Sequence, residues 1–132
     1  MKDSLQEGIQ EQMSFTVTEE MFAKFGEKLI HPTYSTVSMV YHMEWVAYKL
    51  LLPHLEEDEV GMGAEVVVKH LAPSLEGSKV TLTATVTNIK PNRLTTDITI
   101  HNDKGLIGEG KVVQAIVAKE KAKELFYEKT NK

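Results

Sequence analysis

An α+β fold, an antiparallel sheet of about five strands wrapped around one long central helix, is predicted by three features of the 132-residue sequence. Thr36 to Leu52 holds no Gly or Pro and repeats apolar residues at three- and four-residue spacing. Four segments rich in Val, Ile and Thr follow it without interruption. The linkers between those segments are too short for crossovers, so consecutive strands lie antiparallel.

In chain order, Leu5, Ile9, Met13, Phe15 and Val17 are spaced apolar residues that alternate cleanly toward the end, predicting a strand that finishes near Thr18. Thr18-Glu19-Glu20 offers a cap and an acidic first turn, so a short helix is expected from Glu19 to Phe25, stopped by Gly26. Pro32 blocks helix at the residue before it and predicts an irregular segment, Leu29 to Ser35, able to line a pocket. The long helix then presents Val37, Val40, Tyr41, Ala47, Tyr48 and Leu51, with Met39, Met43, Val46 and Leu50 beside them. So little of its circumference is polar that it is expected to be buried in the middle of the fold. Pro53 and the acidic run Glu56 to Glu59 end it.

After Gly61 and Gly63, read as a turn, the strands are expected at Ala64 to Leu71, Lys79 to Lys90, Leu94 to Asn102 and Leu106 to Lys119. Two of them, Val80 to Thr87 and Leu94 to Ile100, have one apolar and one polar face, as a sheet covered on one side requires. Lys119 to Glu128 reads as a short surface helix. A sheet rolled around one buried helix is the hotdog arrangement, and residues 1–132 are read as a single such domain.

Composition narrows the function. A content of 42% hydrophobic and 26% charged residues is that of a globular chain. With no Cys, disulfides and thiolate chemistry are excluded. A net charge of -4 with one arginine, Arg93, disfavours nucleic acid. Neither a signal peptide nor eighteen consecutive apolar residues occur, so no membrane partner and a cytoplasmic location are expected. No phosphate-binding loop, nucleophile elbow or complete dinucleotide fingerprint is present. His31, His42, His54 and His101 form no ligand set with the carboxylates, and no metal is expected.

Three residues stand out chemically. Glu44 is a lone carboxylate among apolar and aromatic helix residues, which suits a polar pocket, a helix edge or a dimer seam. His70 closes its strand on the inward side with Val66 and Val68, either as a core residue or as a base or donor for a carbonyl. Thr36 stands where loop becomes helix, sharing capping duty with Ser35 and Ser38.

Taken together, His31-Pro-Thr-Tyr-Ser-Thr36, Met43-Glu44-Trp45, Gly63, Val68-Lys69-His70-Leu-Ala-Pro and Ile107-Gly108-Glu109-Gly110 resemble the hotdog-fold thioesterases of the fluoroacetyl-CoA type along nearly the whole chain. That resemblance implies a catalytic set of Thr36, Glu44 and His70, with Gly63, Ile30 and Tyr34 on the substrate side. It also implies an acyl-CoA substrate, no cofactor, and a homodimer with its sites at or near the subunit interface. Glu44 would be base or nucleophile, His70 would transfer a proton or orient the carbonyl, and Thr36 would position water or attack. Two positions depart from the pattern: Leu29-Ile30-His31-Pro32 replaces an aromatic lid, and Gln114 replaces a basic residue. They favour a small or medium acyl group over fluoroacetyl itself. Lys69, Lys79, Lys104 and Lys111 are available to the CoA phosphates. A non-catalytic acyl-CoA binding or sensing module is the rival reading, and a hydratase on this fold lacks its signature here.

Overall fold

Alternation of large apolar side chains with Thr and charged residues gives each long segment two unlike faces, which is what lays them into a one-side-covered sheet. The computed structural model describes residues 1–128; residues 129–132 of the expected domain lie outside the described residues. In chain order the elements are β1 (Gln10–Thr16), β2 (Phe22–Phe25), β3 (Lys28–Tyr34), α1 (Thr36–Leu51), β4 (Glu59–His70), β5 (Lys79–Lys90), β6 (Arg93–Asn102), β7 (Gly105–Ala118) and α2 (Lys119–Lys123). Five strands form one antiparallel sheet in the order β1-β5-β6-β7-β4, leaving β1 and β4 as its edges.

The buried face of α1, Met39, Met43, Val46, Ala47 and Leu50, packs with the inward residues of the sheet, among them Leu82, Ala84, Leu94, Ile98, Ile100 and Val112. Each such Leu, Ile or Met contributes roughly 1.5–3 kcal/mol by leaving water. The hotdog fold, the boundaries of β5 to β7 and the long helix follow the expectation closely.

Four expectations are corrected. The segment Glu19–Phe25 is not a helix: one 3-10 turn, Glu19–Met21, leads directly into β2. Gly26, at φ 63°, serves the turn of a β2–β3 hairpin rather than a helix stop. The Pro32 segment is therefore ordered strand, tolerated because this sheet has only two strands and a register shift near Ala23. Gly61 and Gly63 lie inside β4, which starts at Glu59, with a bulge between Gly63 and Glu65. Finally, α1 is buried on one side only, since Val37, Tyr41, Trp45 and Tyr48 are exposed within the chain.

Candidate active site

The corner where β3 becomes α1 is fixed by backbone bonds from neighbouring segments. Tyr34 N donates to Ser74 O at 2.9 Å and Ser35 N to Met21 O at 2.8 Å. Ser35 is the N-cap, its Oγ accepting from Ser38 N at 3.0 Å, while the Ser38 hydroxyl donates to Met21 O. With both neighbours so engaged, the Thr36 hydroxyl is released from capping. It lies 2.8 Å from His70 Nδ1 in a hydrogen bond.

His70 reaches that hydroxyl because strand alternation turns it inward while Lys69 points out. Its Nε2 is buried with no hydrogen-bond partner among the described residues. Burial lowers the imidazole pKa from 6.5, the Ala72 backbone opposing in part, so the ring is neutral at pH 7. A neutral imidazole beside a hydroxyl is the arrangement of a base with an activated oxygen.

Glu44 sits two turns along α1 from Thr36, about 12 Å at 1.5 Å per residue. Its carboxylate stands against Gly63, where a β-carbon would collide with Oε1. The two line an open cleft of about 360 Å³ with Tyr41, Trp45, Tyr48 and Gln114. Glu44 has no hydrogen bond or ion pair among the described residues, so none joins it to Thr36 or His70. The structure thus pairs two of the three expected catalytic residues and holds the third in a neighbouring cleft with Gly63.

Ile30 is exposed on the hairpin, whereas Tyr34 is buried, its ring edge-on to His70 with centroids 6.3 Å apart. The four lysines are not gathered: Lys69 and Lys111 share an outward groove, Lys79 begins β5 and Lys104 lies in the β6–β7 turn. Among the described residues no group of three or more His, Asp or Glu could hold a metal.

Two buried polar contacts lie in this region that the sequence does not foretell; there Gln114 is only a departure from the family pattern and His42 only a histidine outside any ligand set. Gln114 is buried between inward Val112 and Ile116 and donates to Ala47 O at 3.2 Å. His42 is buried on the helix face of Met39 and Met43, its Nδ1 2.7 Å from the Tyr34 hydroxyl. A polar residue at a core position of a regular pattern was the available signal for both.

The model of the fluoroacetyl-CoA-specific thioesterase family matches residues 17–120, a span that holds Thr36, Glu44, Gly63 and His70. The chain belongs to this family. A fluoroacetyl-CoA thioesterase from Streptantibioticus cattleyicolor is 31% identical over 109 residues, 83% of this chain and 75% of that protein. A Thermus thermophilus thioesterase-superfamily protein is 38% identical with a TM-score of 0.92, covering 96% of this chain and 93% of its own. A variant of the fluoroacetyl-CoA thioesterase solved with acetyl-CoA is 25% identical with a TM-score of 0.87, covering 96% and 99%. Family membership makes the chain a thioester hydrolase of the hotdog fold.

Proposed function

We propose that this thioesterase hydrolyses a small or medium acyl-CoA to the free acid and CoA, using Thr36, His70 and Glu44. The 2.8 Å Thr36–His70 bond carries the reading, because it places a hydroxyl and its proton acceptor together at the edge of the sheet. Complexes of relatives with acetyl-CoA, and with fluoroacetate and CoA, support the substrate class. Exposed Ile30 and the close approach allowed by Gly63 supply the acyl side, and an aliphatic Ile30 and neutral Gln114 suit acyl groups other than fluoroacetyl.

Attack by Thr36 Oγ1 passes its proton to His70 and forms an ester, whereas attack by Glu44 forms a mixed anhydride; either is then cleaved by water. In the first route CoA leaves as the thiol with the proton that His70 took from Thr36; in the second it leaves as the thiolate and takes its proton from water. The active unit is read as a homodimer. β4 is a free edge, and the exposed stripe Val37, Tyr41, Trp45 and Tyr48 runs along α1 beside it. Two copies related by a twofold near Val40 and between Val66 and Val67 would set Glu44 of one beside Thr36 and His70 of the other, since 36 and 44 on α1, like 63 and 70 on β4, would exchange places. A cytoplasmic location and a single domain spanning the chain go with this reading, and no helix among the described residues is long and apolar enough to cross a membrane.

Thiol release from acyl-CoA esters of increasing chain length, including fluoroacetyl-CoA, tests the activity. Turnover of a small or medium ester, lowered about a hundredfold or more in Glu44→Gln with the fold intact, is expected. An untouched panel whose members still raise the melting temperature would replace the enzyme with a binding module. Intact turnover in Glu44→Gln would remove Glu44 from the chemistry.

A further inference from the structure

Tyr34 and His42 form a hydrogen-bonded pair within a mainly aliphatic core, and the proposed reaction uses neither. Tyr34 is 1% exposed and His42 5%; the hydroxyl and Nδ1 are 2.7 Å apart, and the imidazole stacks on Phe15 at 4.0 Å. Exchanging such a pair for apolar residues of the same shape is often neutral or stabilising, so stability does not account for it. Its position does. Tyr34 precedes Thr36 by two residues and His42 precedes Glu44 by two, so this one bond ties the strand side of the corner to the second turn of α1. The Tyr34 ring meets His70 edge-on at 67°, and its backbone is anchored on Ser74.

We propose that Tyr34 and His42 are positioning residues for the thioesterase reaction. Their bond holds the Tyr34 ring against His70 and fixes the β3–α1 corner, keeping Thr36 Oγ1 within reach of His70 Nδ1. Tyr34 thereby acts on the substrate through His70 and Thr36 instead of touching it. The inference rests on the catalytic roles given above to Thr36 and His70. Burial holds His42 at a pKa of about 4, so the ring stays neutral, and the bond unchanged, throughout the neutral range. Small displacements of a reacting pair are costly in rate, which makes a rigid support beneath it consequential.

The test compares Tyr34→Phe, His42→Leu and His42→Asn, whose amide nitrogen or oxygen reaches the place of Nδ1, using the best acyl-CoA of the panel. The first two are expected to lower kcat about tenfold with KM within about twofold, and His42→Asn to recover most of the rate. The ¹⁵N resonances of the His70 imidazole should shift in Tyr34→Phe, because the Thr36 bond they report is loosened. In the double variant Tyr34→Phe with His42→Leu, no polar group is left unpaired, so the melting temperature returns toward wild type while kcat does not. Wild-type kcat and an unshifted His70 in Tyr34→Phe would overturn the inference, as would a rate that recovers with stability in the double variant. If the wild type turns over no ester, the thioesterase reading fails, and the His70 resonances alone then decide whether the pair positions that ring.

Discussion

A β-carbon at Gly63 would meet Glu44 Oε1, the free end of a flexible side chain, and nothing else within van der Waals range beyond that carboxyl group. The carboxylate can swing away at small conformational cost, so Gly63→Ala is expected to leave the melting temperature within a few degrees of wild type. Displacing Glu44 from its cleft should nevertheless lower kcat about tenfold or more, a separation of activity from stability that parallel melting and rate measurements will show. His42 gives a residue-level prediction in the other direction. Burial lowers its pKa from 6.5 to about 4 in the folded chain, the Ser38 backbone opposing in part. The groups facing the ring are the Tyr34 hydroxyl and the rings of Phe15, Tyr41 and Trp45, none of them charged at neutral pH. As pH falls below about 6.5 the unfolded chain therefore takes up the proton first, and stability is lost until about pH 4, where the folded ring also titrates. Between pH 7 and 4.5 this one residue should remove roughly 2–3 kcal/mol, measured as the part of the acid loss in denaturant unfolding that disappears in the Tyr34→Phe, His42→Leu double variant.

Among the elements, α1 depends on its first turn. Ser35 is buried and its Oγ satisfies the Ser38 N–H, so Ser35→Ala is expected to cost about 1 kcal/mol, a few degrees in a thermal melt, and to lower kcat as the corner beneath Thr36 loosens. That duty was ambiguous in the sequence, where Ser35, Thr36 and Ser38 are equivalent candidates; only the bonds to Met21 O settle Ser38 and leave Thr36 to His70. Periodicity made the long elements legible. β5, β6 and β7 are each ten or more residues long and alternate over most of that length, enough to fix their faces and ends. β2 has four residues, too few for either period to declare itself, and Gly26 suits a helix stop as well as a hairpin turn. The glycines of β4 read as a turn because nothing local shows what they face, namely Leu51 and Glu44 on a helix ten or more residues away in sequence. Glu44 and His70 were visible as anomalies of pattern and Thr36 only through the family resemblance, whereas the Tyr34–His42 bond joins two residues whose spacing suggests nothing.

For the whole molecule, the decisive feature is that α1 is only half covered by its own sheet. Tyr41 is 60% and Trp45 48% exposed, on a stripe that continues into the cleft of Glu44 and lies beside the open edge of β4. Exposed aromatic surface of this continuity is costly for an isolated chain and is the kind that a second copy covers. Within one chain, Thr36 and Glu44 are separated by eight helical residues, about 12 Å, too far for a shared carbonyl. The site proposed above, shared across a twofold, makes an unusual prediction about two impaired enzymes. Thr36→Ala and Glu44→Gln, each expected to be about a hundredfold or more slower alone, should regain activity when unfolded together and refolded as a mixture. In a mixed dimer one site takes Thr36 from one subunit and Glu44 from the other, both wild type, while the second site carries both substitutions. Random association makes half of the dimers mixed, each with one working site of two, so about a quarter of the wild-type rate is expected. Equal refolding of each variant with itself supplies the baseline. A mixture no more active than that baseline would place all three groups in one chain and require α1 to bend or the substrate to bridge the gap.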